Sequence, residues 1–342
     1  MKKLIVLCLF ACCLFANSQA PAVLTLNRAI PLPGVTGRFD HLAIDVAGNR
    51  LFIAATGNHS VEVIDLKSDK VLQSITGLGK PHGLAWIAET GNLYVADGTL
   101  AELKVYRGSP LKFSSSLKLS DDADDMVYDE ANHQLFVGHG GSDAANPAKV
   151  AIVDTNNFSM VANISVATHP EALDIDRAGN RVFANVAKSN EVAIIGAGTK
   201  TIVANWKLTK SADNVPMAFD SDHQLLYVAC RTPGMLIALD ATTGKEVASQ
   251  PVADGADDLF YDPALRRVYV ISGVGEVDTF QLGDAKMLRP LAVLRTAPGA
   301  KTALFVPAQN LLYVGVPGES GKPAEIRVYA TNKSGVSPGE NK

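Results

Sequence analysis

Carboxylate and imidazole side chains recur at one equivalent position of a repeated pattern in this sequence, and together they could bind a cation. The position lies just before an apolar segment in every copy of the pattern. In chain order it is occupied by Asp40, His82, Asp124, Glu171, Val215, Asp257 and Lys301. Several carboxylates that face one cavity repel one another, and a bound cation would relieve the repulsion. We therefore predict a divalent-cation site formed from Asp40, His82, Asp124, Glu171 and Asp257.

Neighbouring positions extend this candidate site. The predicted ligand-binding residues are Asp40, His41, His82, Asp124, Asp125, Glu171, Arg231, Asp257, Asp258 and Lys301. Imidazole titrates near neutral pH and binds transition metals, so a histidine at this place could be a metal ligand or a general base. The candidates for such a catalytic role are His41, His82 and His169.

Each of these residues also has a simpler structural interpretation. An aspartate such as Asp125 or Asp258 could do no more than accept hydrogen bonds from backbone N–H groups at a junction between repeats. Lys301 and Arg231 could pair with the acidic residues, or they could hold an anionic group of a ligand. The sequence leaves these alternatives open.

The elements that must position these residues form seven similar units. In each unit an apolar segment is followed by a turn, and an aromatic residue stands seven positions after the end of the segment. The pairs are Asp45/Phe52, Ile87/Tyr94, Asp129/Phe136, Asp176/Phe183, Asp220/Tyr227, Asp262/Tyr269 and Val306/Tyr313. The units repeat about every 44 residues, which is the length of a propeller blade.

Four short strands can be recognised in each unit from the alternation of apolar and polar residues. Four strands per unit predict an all-β fold, a seven-bladed β-propeller. The last unit lacks its fourth strand after 325–329, and segment 23–30 is predicted to supply it and to close the last blade. We therefore assign residues 19–332 to a single propeller domain and residues 333–342 to a flexible tail.

Propeller topology predicts that the candidate residues meet at one end of the central channel. The first strand of each blade lines the channel, and the loops that enter these strands lie on one face, which we call the top face. The loops between second and third strands lie on the same face and contribute Asn58, Asp97, His139, Asn185 and Arg231. Loop length also varies here, at 140–147 and 317–323, as is typical of binding surfaces.

Short motifs link the repeats to a known family. Leu-Tyr-Val recurs at 93–95, 226–228 and 312–314, and segments such as 37–41 and 122–125 add to the likeness. Over about residues 22–332 the chain resembles the YVTN-repeat, YncE-like group of bacterial WD40-like propellers. The resemblance implies an exported propeller but no shared reaction. It also suggests single-stranded DNA binding, which the net charge of −4 opposes because nucleic-acid binders carry a basic excess.

The first residues predict export. Residues 1–18 combine two lysines, an apolar run too short to span a bilayer, and small residues before a cleavage site after Ser18. An alternative is a lipoprotein signal with anchoring at Cys12. We expect a periplasmic or secreted monomer with no transmembrane segment after signal removal. Its remaining cysteine, Cys230, lies in an apolar run and is expected to be a buried thiol.

These observations predict a binding module whose channel mouth, lined by Asp, Glu and His, receives a small ligand, a metal or an exported protein partner. The alternative is a metal-assisted hydrolase or lyase at the same site, in which one histidine moves a proton. The sequence has no phosphate-binding loop and no Cys-x-x-Cys-His haem motif. No cofactor other than a divalent cation is expected.

Overall fold

The structure, a computed structural model, describes residues 22–319 and 321–333. In this part of the chain, 28 strands form seven antiparallel sheets of four strands each. The predicted all-β, seven-bladed propeller is confirmed. The predicted signal, residues 1–18, lies outside the described residues, and so does most of the predicted tail, at 334–342.

Every sheet follows the same order from the central channel outwards. The inner strands are β2 (Leu42–Asp45), β6 (Pro81–Ile87), β10 (Met126–Asp129), β14 (Pro170–Asp176), β18 (Ala212–Asp220), β22 (Ala256–Asp262) and β26 (Thr302–Val306). The second strands are β3 (Arg50–Ala55), β7 (Asn92–Asp97), β11 (Gln134–His139), β15 (Arg181–Val186), β19 (Leu225–Thr232), β23 (Arg267–Ser272) and β27 (Leu311–Val316). The third strands are β4 (Ser60–Asp65), β8 (Glu102–Arg107), β12 (Lys149–Asp154), β16 (Glu191–Gly196), β20 (Gly234–Asp240), β24 (Glu276–Leu282) and β28 (Ala324–Thr331).

The outer strands complete the blades. They are β5 (Lys70–Ile75), β9 (Lys112–Lys118), β13 (Ser159–Ser165), β17 (Thr201–Lys207), β21 (Glu246–Pro251) and β25 (Leu288–Arg295), with β1 (Leu24–Leu32) in the last blade. Short 3-10 turns occur at Thr56–Asn58, Glu130–Asn132, Ala187–Ser189, Asp284–Lys286 and Pro307–Gln309. Within the described ranges, no helix is long and apolar enough to span a bilayer.

The repeated aromatic residue packs the blades against one another. It is Phe52, Tyr94, Phe136, Phe183, Tyr227, Tyr269 or Tyr313, and none of these is more than 1% exposed. Phe52 stacks on Trp86 of the next blade with 5.4 Å between ring centroids. Tyr269 is in the same way 5.5 Å from Phe305 of the next blade. Burial of such large apolar rings stabilises the blade junctions.

The N-terminal strand closes the ring, as predicted. Strand β1 pairs antiparallel with β28, from Leu24 opposite Thr331 to Leu32 opposite Ala324. Its Ile30 and Leu32 are fully buried in the core between the last and first blades. Closure therefore combines backbone hydrogen bonds with burial of apolar side chains.

The outer strand of every blade contains one irregularity. In all seven blades the pairing between the third and outer strands shifts by one residue, which is a β-bulge. In four blades the bulged residue is an exposed aliphatic: Leu72, Val161, Val203 and Val247. The bulge bends the outer strand and increases its twist.

Cys230 lies in β19 and is fully buried, as predicted. Burial raises the pKa of its thiol to about 12. At neutral pH the thiol is therefore protonated, and it packs as an apolar side chain.

Candidate functional site

The top end of the channel opens into a cavity of about 530 Å³, which is within the size range of small-molecule sites. All ten predicted ligand-binding residues line it, and so does His169. The structure also adds four charged residues that the sequence reasoning missed: Arg38, Lys80, Asp122 and Asp174.

His82 presents a buried, unpaired nitrogen to this cavity. It is the second residue of β6, and its Nδ1 lies 2.7 Å from Asp40 Oδ2, on the loop that enters the first blade. Because a carboxylate only accepts hydrogen bonds, Nδ1 carries the proton and Nε2 is left with a lone pair in the neutral ring. The residue is 4% exposed, and its Nε2 has no hydrogen-bond partner among the described residues.

His169 has the same arrangement on the fourth blade. It directly precedes β14, and its Nδ1 donates to the carbonyl oxygen of Gly140 at 2.7 Å. The loop comes this close because Gly141 has φ +97° and no side chain. A Cβ at this position would lie 2.7 Å from the backbone nitrogen of His169. His169 is 7% exposed, and within the described part of the chain its Nε2 also lacks a hydrogen-bond partner. The insertion at 140–147 therefore positions a site histidine.

Two aspartates lie between these imidazoles. Asp122 Oδ1 is 3.9 Å from His82 Nε2, and Asp122 Oδ2 is 4.0 Å from His169 Nε2. Asp124 Oδ2 is 3.6 Å from His169 Nε2, while its buried Oδ1 has no hydrogen-bond partner in the described residues. We call His82, Asp122, Asp124 and His169 the His/Asp cluster.

Asp124 is the centre of two sets of possible metal ligands. One donor atom from each of Asp40, His82 and Asp124 lies within 4.8 Å of the others. The same holds for Asp124, His169 and Glu171. Four of the five predicted metal ligands thus come together, and Asp257 does not belong to either set.

The charges in the cluster stabilise one another. Burial disfavours ionisation of Asp124, but contacts with His169 and His41 hold the pKa of this carboxyl well below its usual value. Burial likewise disfavours the charge on His169, yet Asp124 outweighs it and raises the pKa of His169 to about 9. The carboxylates therefore favour positive charge between them, which imidazolium groups or a metal cation can supply.

His41 differs from the other two histidines. Its Nε2 is 3.6 Å from Asp124 Oδ1 and its Nδ1 is 3.9 Å from Asp125 Oδ1, so neither nitrogen is within hydrogen-bond distance of these carboxylates. Burial opposes its charge, but Asp125 and Asp124 raise its pKa well above the usual value. Its side chain is 23% exposed and lines the cavity, so a proton on this ring is accessible to a bound molecule.

Other carboxylates of the channel hold the blades together. Asp125 accepts a hydrogen bond from the backbone N–H of Leu173 in the next blade at 2.8 Å. Asp258 accepts from Ala303 at 2.6 Å, and burial raises its pKa to about 8. Asp174, deeper in the channel, accepts from Phe219 at 2.7 Å. Asp125 and Asp258 thus make the junction hydrogen bonds that the structural interpretation expects, and both also line the cavity.

A group of two cations and one carboxylate lies on the side of the cavity formed by the fifth, sixth and seventh blades. Asp257 sits between Lys301, whose Nζ is 2.6 Å from Asp257 Oδ2, and Arg231, whose guanidinium contacts Oδ1. Asp257 is thus engaged in ion pairs, and this arrangement corresponds to the first of the two alternatives for Arg231 and Lys301.

Three residues of the second set of top loops point away from the cavity. Asp97 accepts hydrogen bonds from the backbone of Gly79 and Lys80. His139 accepts from Ser120, and burial lowers its pKa to about 4. Asn185 donates to Val215. These side chains fix loops, and from this set only Arg231 is among the residues that line the cavity.

The fold is shared with several solved structures. The chain is similar to the hydrazine synthase of Kuenenia stuttgartiensis, with 17% identity, a TM-score of 0.72 and coverage of 83% of this chain and 95% of that one. It is also similar to a chain of the mitotic checkpoint complex (13% identity, TM-score 0.75, coverage 96% and 98%) and to the WD40 repeats of RRP9 (12%, 0.76, 92% and 99%).

No family model matches the chain. No curated protein matches it either. Membership of the YVTN-repeat group therefore stays a prediction. At identities below 20%, what these solved structures share with this chain is the fold alone.

Proposed function

We propose that this propeller is an exported binding module that binds a divalent transition-metal cation at the mouth of its channel, and a small ligand with it. The observation that carries the proposal is the pair of buried, unpaired Nε2 atoms of His82 and His169, which face the carboxylates of Asp122 and Asp124. Membership of the YVTN-repeat group and a periplasmic or secreted location are part of the same proposal.

The donor set indicates the class of metal. Each ligand set combines an imidazole with carboxylates, which suits Zn²⁺, Mn²⁺, Fe²⁺ or Co²⁺, whereas Ca²⁺ and Mg²⁺ prefer oxygen ligands alone. Metal-binding histidines almost always donate their other ring nitrogen to a carboxylate or a backbone carbonyl. His82 does so to Asp40, and His169 does so to Gly140.

A purely structural role explains the cluster less well. Without a metal neither nitrogen makes a hydrogen bond: His82 Nε2 is 3.9 Å from Asp122, and His169 Nε2, on a ring whose pKa is about 9, is 3.6 Å from Asp124. A buried polar group that makes no hydrogen bond costs about 1 to 3 kcal/mol. A metal ion bound by Asp124 together with either histidine would engage one of these nitrogens and would relieve the repulsion between the carboxylates. The histidines that serve only the scaffold are different: His139 uses both ring nitrogens in hydrogen bonds.

The test is metal binding by the purified protein. Mature protein prepared without chelators is examined by mass spectrometry for bound metal, then stripped and titrated with Zn²⁺ by calorimetry. We expect one strong site per chain, lost in the His82→Gln/His169→Gln double variant. The control is His223→Gln, whose imidazole pairs with Asp220 in the turn between β18 and β19, on the face opposite the top face. A stripped wild type that binds no metal, or a double variant that binds it equally well, would refute the proposal.

A specific observation favours a second candidate, a metal-assisted hydrolase or lyase. His41 is the most exposed of the three site histidines and is held protonated beside Asp124, where it could donate a proton to a leaving group. In an enzyme, His41→Gln would retain the metal and lose turnover of an ester or phosphoester panel. If the metal-loaded wild type turns over none of these compounds, the simple binding function is favoured.

A further inference from the structure

Arg231, Asp257 and Lys301 form a second charged group in the cavity, apart from the His/Asp cluster, and this group has more positive than negative charge. Asp257 pairs with both Lys301 and Arg231, so one carboxylate serves two cations. Glu171, the next acidic residue on the rim, lies near enough to interact with Arg231 but belongs to the His169 side of the cavity. One positive charge is therefore left facing the cavity beside Asp257.

Both cations keep donors for a ligand. The Arg231 guanidinium donates Nε to the carbonyl oxygen of Ala256 at 2.9 Å and one terminal nitrogen to Asp257. A guanidinium has five N–H donors and an ammonium has three, so several remain. The side chains are 29% and 27% exposed, which keeps the two head groups accessible from the cavity.

The fifth blade forms an apolar part of the cavity wall, on one side between the His/Asp cluster and the second charged group. The fifth blade contributes Val215, Pro216 and Met217 to the cavity where the other blades contribute acidic residues, histidine or, in the last blade, Lys301. Val215 is 5% exposed and Met217 is 7% exposed, so they form a packed wall. This wall could contact an apolar part of a ligand that is held at both charged groups.

We propose that Arg231 and Lys301, oriented by Asp257, bind the oxyanion of a small molecule that carries a carboxylate or phosphate group. This inference rests on the proposed function, since the other end of the molecule would contact the metal at the His/Asp cluster. A planar guanidinium beside an ammonium is a frequent arrangement for such oxyanions. The cavity of about 530 Å³ has room for a small molecule of this kind.

The experiment measures oxyanion binding by calorimetry, with succinate and inorganic phosphate as separate probes on Zn²⁺-loaded and metal-stripped protein. We expect at least one probe to bind, and the tighter one identifies the class. Lys301→Met and Arg231→Gln should each weaken it about tenfold or more, because each removes a charge-assisted hydrogen bond. The control Lys207→Met removes the surface ion pair with Glu191 on the fourth blade and should change nothing.

Asp257→Asn gives a result of opposite sign. It removes the carboxylate that competes for both cations, so it should strengthen oxyanion binding, which a damaged fold would not do. No binding of either probe to any preparation, or unchanged binding in Lys301→Met and Arg231→Gln, would overturn the inference. Failure of the proposed function is seen separately, as absence of Zn²⁺ binding in a protein whose oxyanion binding still depends on Lys301.

Discussion

His82 and Asp40 join two neighbouring blades through a hydrogen bond of 2.7 Å between Nδ1 and Oδ2. The bond fixes the ring so that Nε2 faces the cavity, and the carboxylate increases the basicity of that nitrogen. The residue that orients the ligand is thus on a different blade from the ligand itself.

Asp40→Asn should therefore weaken metal binding without unfolding the protein. The amide can still accept the hydrogen bond but has no charge, and loss of such a partner commonly costs about 10- to 100-fold in metal affinity. Zn²⁺ titration measures the effect. Asp69→Asn, which removes a carboxylate paired with Arg28 away from the cavity, is the matched control. Equal affinities in both variants would contradict the assigned role of Asp40.

Gly98→Ala should obstruct the free nitrogen of His82. A Cβ on Gly98 would lie 3.0 Å from His82 Cδ2 and 3.2 Å from His82 Nε2, so the methyl group would crowd the ring edge where a metal approaches. We expect at least about tenfold weaker Zn²⁺ binding, comparable to loss of a positioning partner. Gly283→Ala, where the nearest atom to the Cβ is 3.6 Å away, is the control. If Gly98→Ala binds as the control does, the metal does not reach Nε2 of His82.

Asp174 should make the protein less stable as the pH rises from about 4 to about 6. Burial raises its pKa from 3.8 to about 6, so in this window the unfolded chain has released the proton that the folded chain still holds. Folding then takes up a proton, and the free energy of unfolding decreases as the pH increases.

The variant Asp174→Asn tests this sign. It keeps an acceptor for the Phe219 N–H group and removes the titration. Urea unfolding measures the free energy of unfolding of both proteins from about pH 4 to about pH 6. Over this range the variant should become more stable relative to the wild type by about 1 to 3 kcal/mol, since one pKa unit corresponds to about 1.4 kcal/mol. If the free energy of unfolding depends on pH in the same way in both proteins, Asp174 ionises in the folded protein at its usual pKa.

Closure of the ring should depend on Ile30. This side chain is fully buried, whereas Leu26 on the same strand is 52% exposed. Ile30→Ala should lower the free energy of unfolding by about 2 to 5 kcal/mol, because it leaves a cavity in the core. Leu26→Ala should change it by less than about 0.5 kcal/mol. Equal effects on the denaturation midpoint would mean that β1 contributes no core packing.

The repeats made the fold predictable because each blade uses the same aromatic residue for the same contact. Phe52 and Tyr269, although far apart in sequence, each pack on a ring of the following blade. The closing strand was predictable for a related reason, since the last unit lacked one strand and the N-terminus offered it. The position of the candidate site followed from topology, which brings the starts of all inner strands to one end of the channel.

The sequence could not show which way individual loop side chains point. Arg231 and His139 occupy comparable places in their blades, yet Arg231 enters the cavity while His139 turns inward to Ser120. Asp122 reaches the cluster although it lies two residues before Asp124. The run of acidic residues at 121–125 was the available signal, but only the loop conformation decides which of them meet the histidines.

The bulge in each outer strand has a consequence for the exposed rim of the molecule. A propeller closed by β1 still presents an outer sheet edge in each of its seven blades, and such edges can template the addition of strands from other chains. A shifted register, with exposed residues such as Leu72 and Val203 at the bulge, prevents a straight strand from pairing along the whole edge. The irregularity that bends each blade thereby protects a rim rich in exposed aliphatic side chains from aggregation.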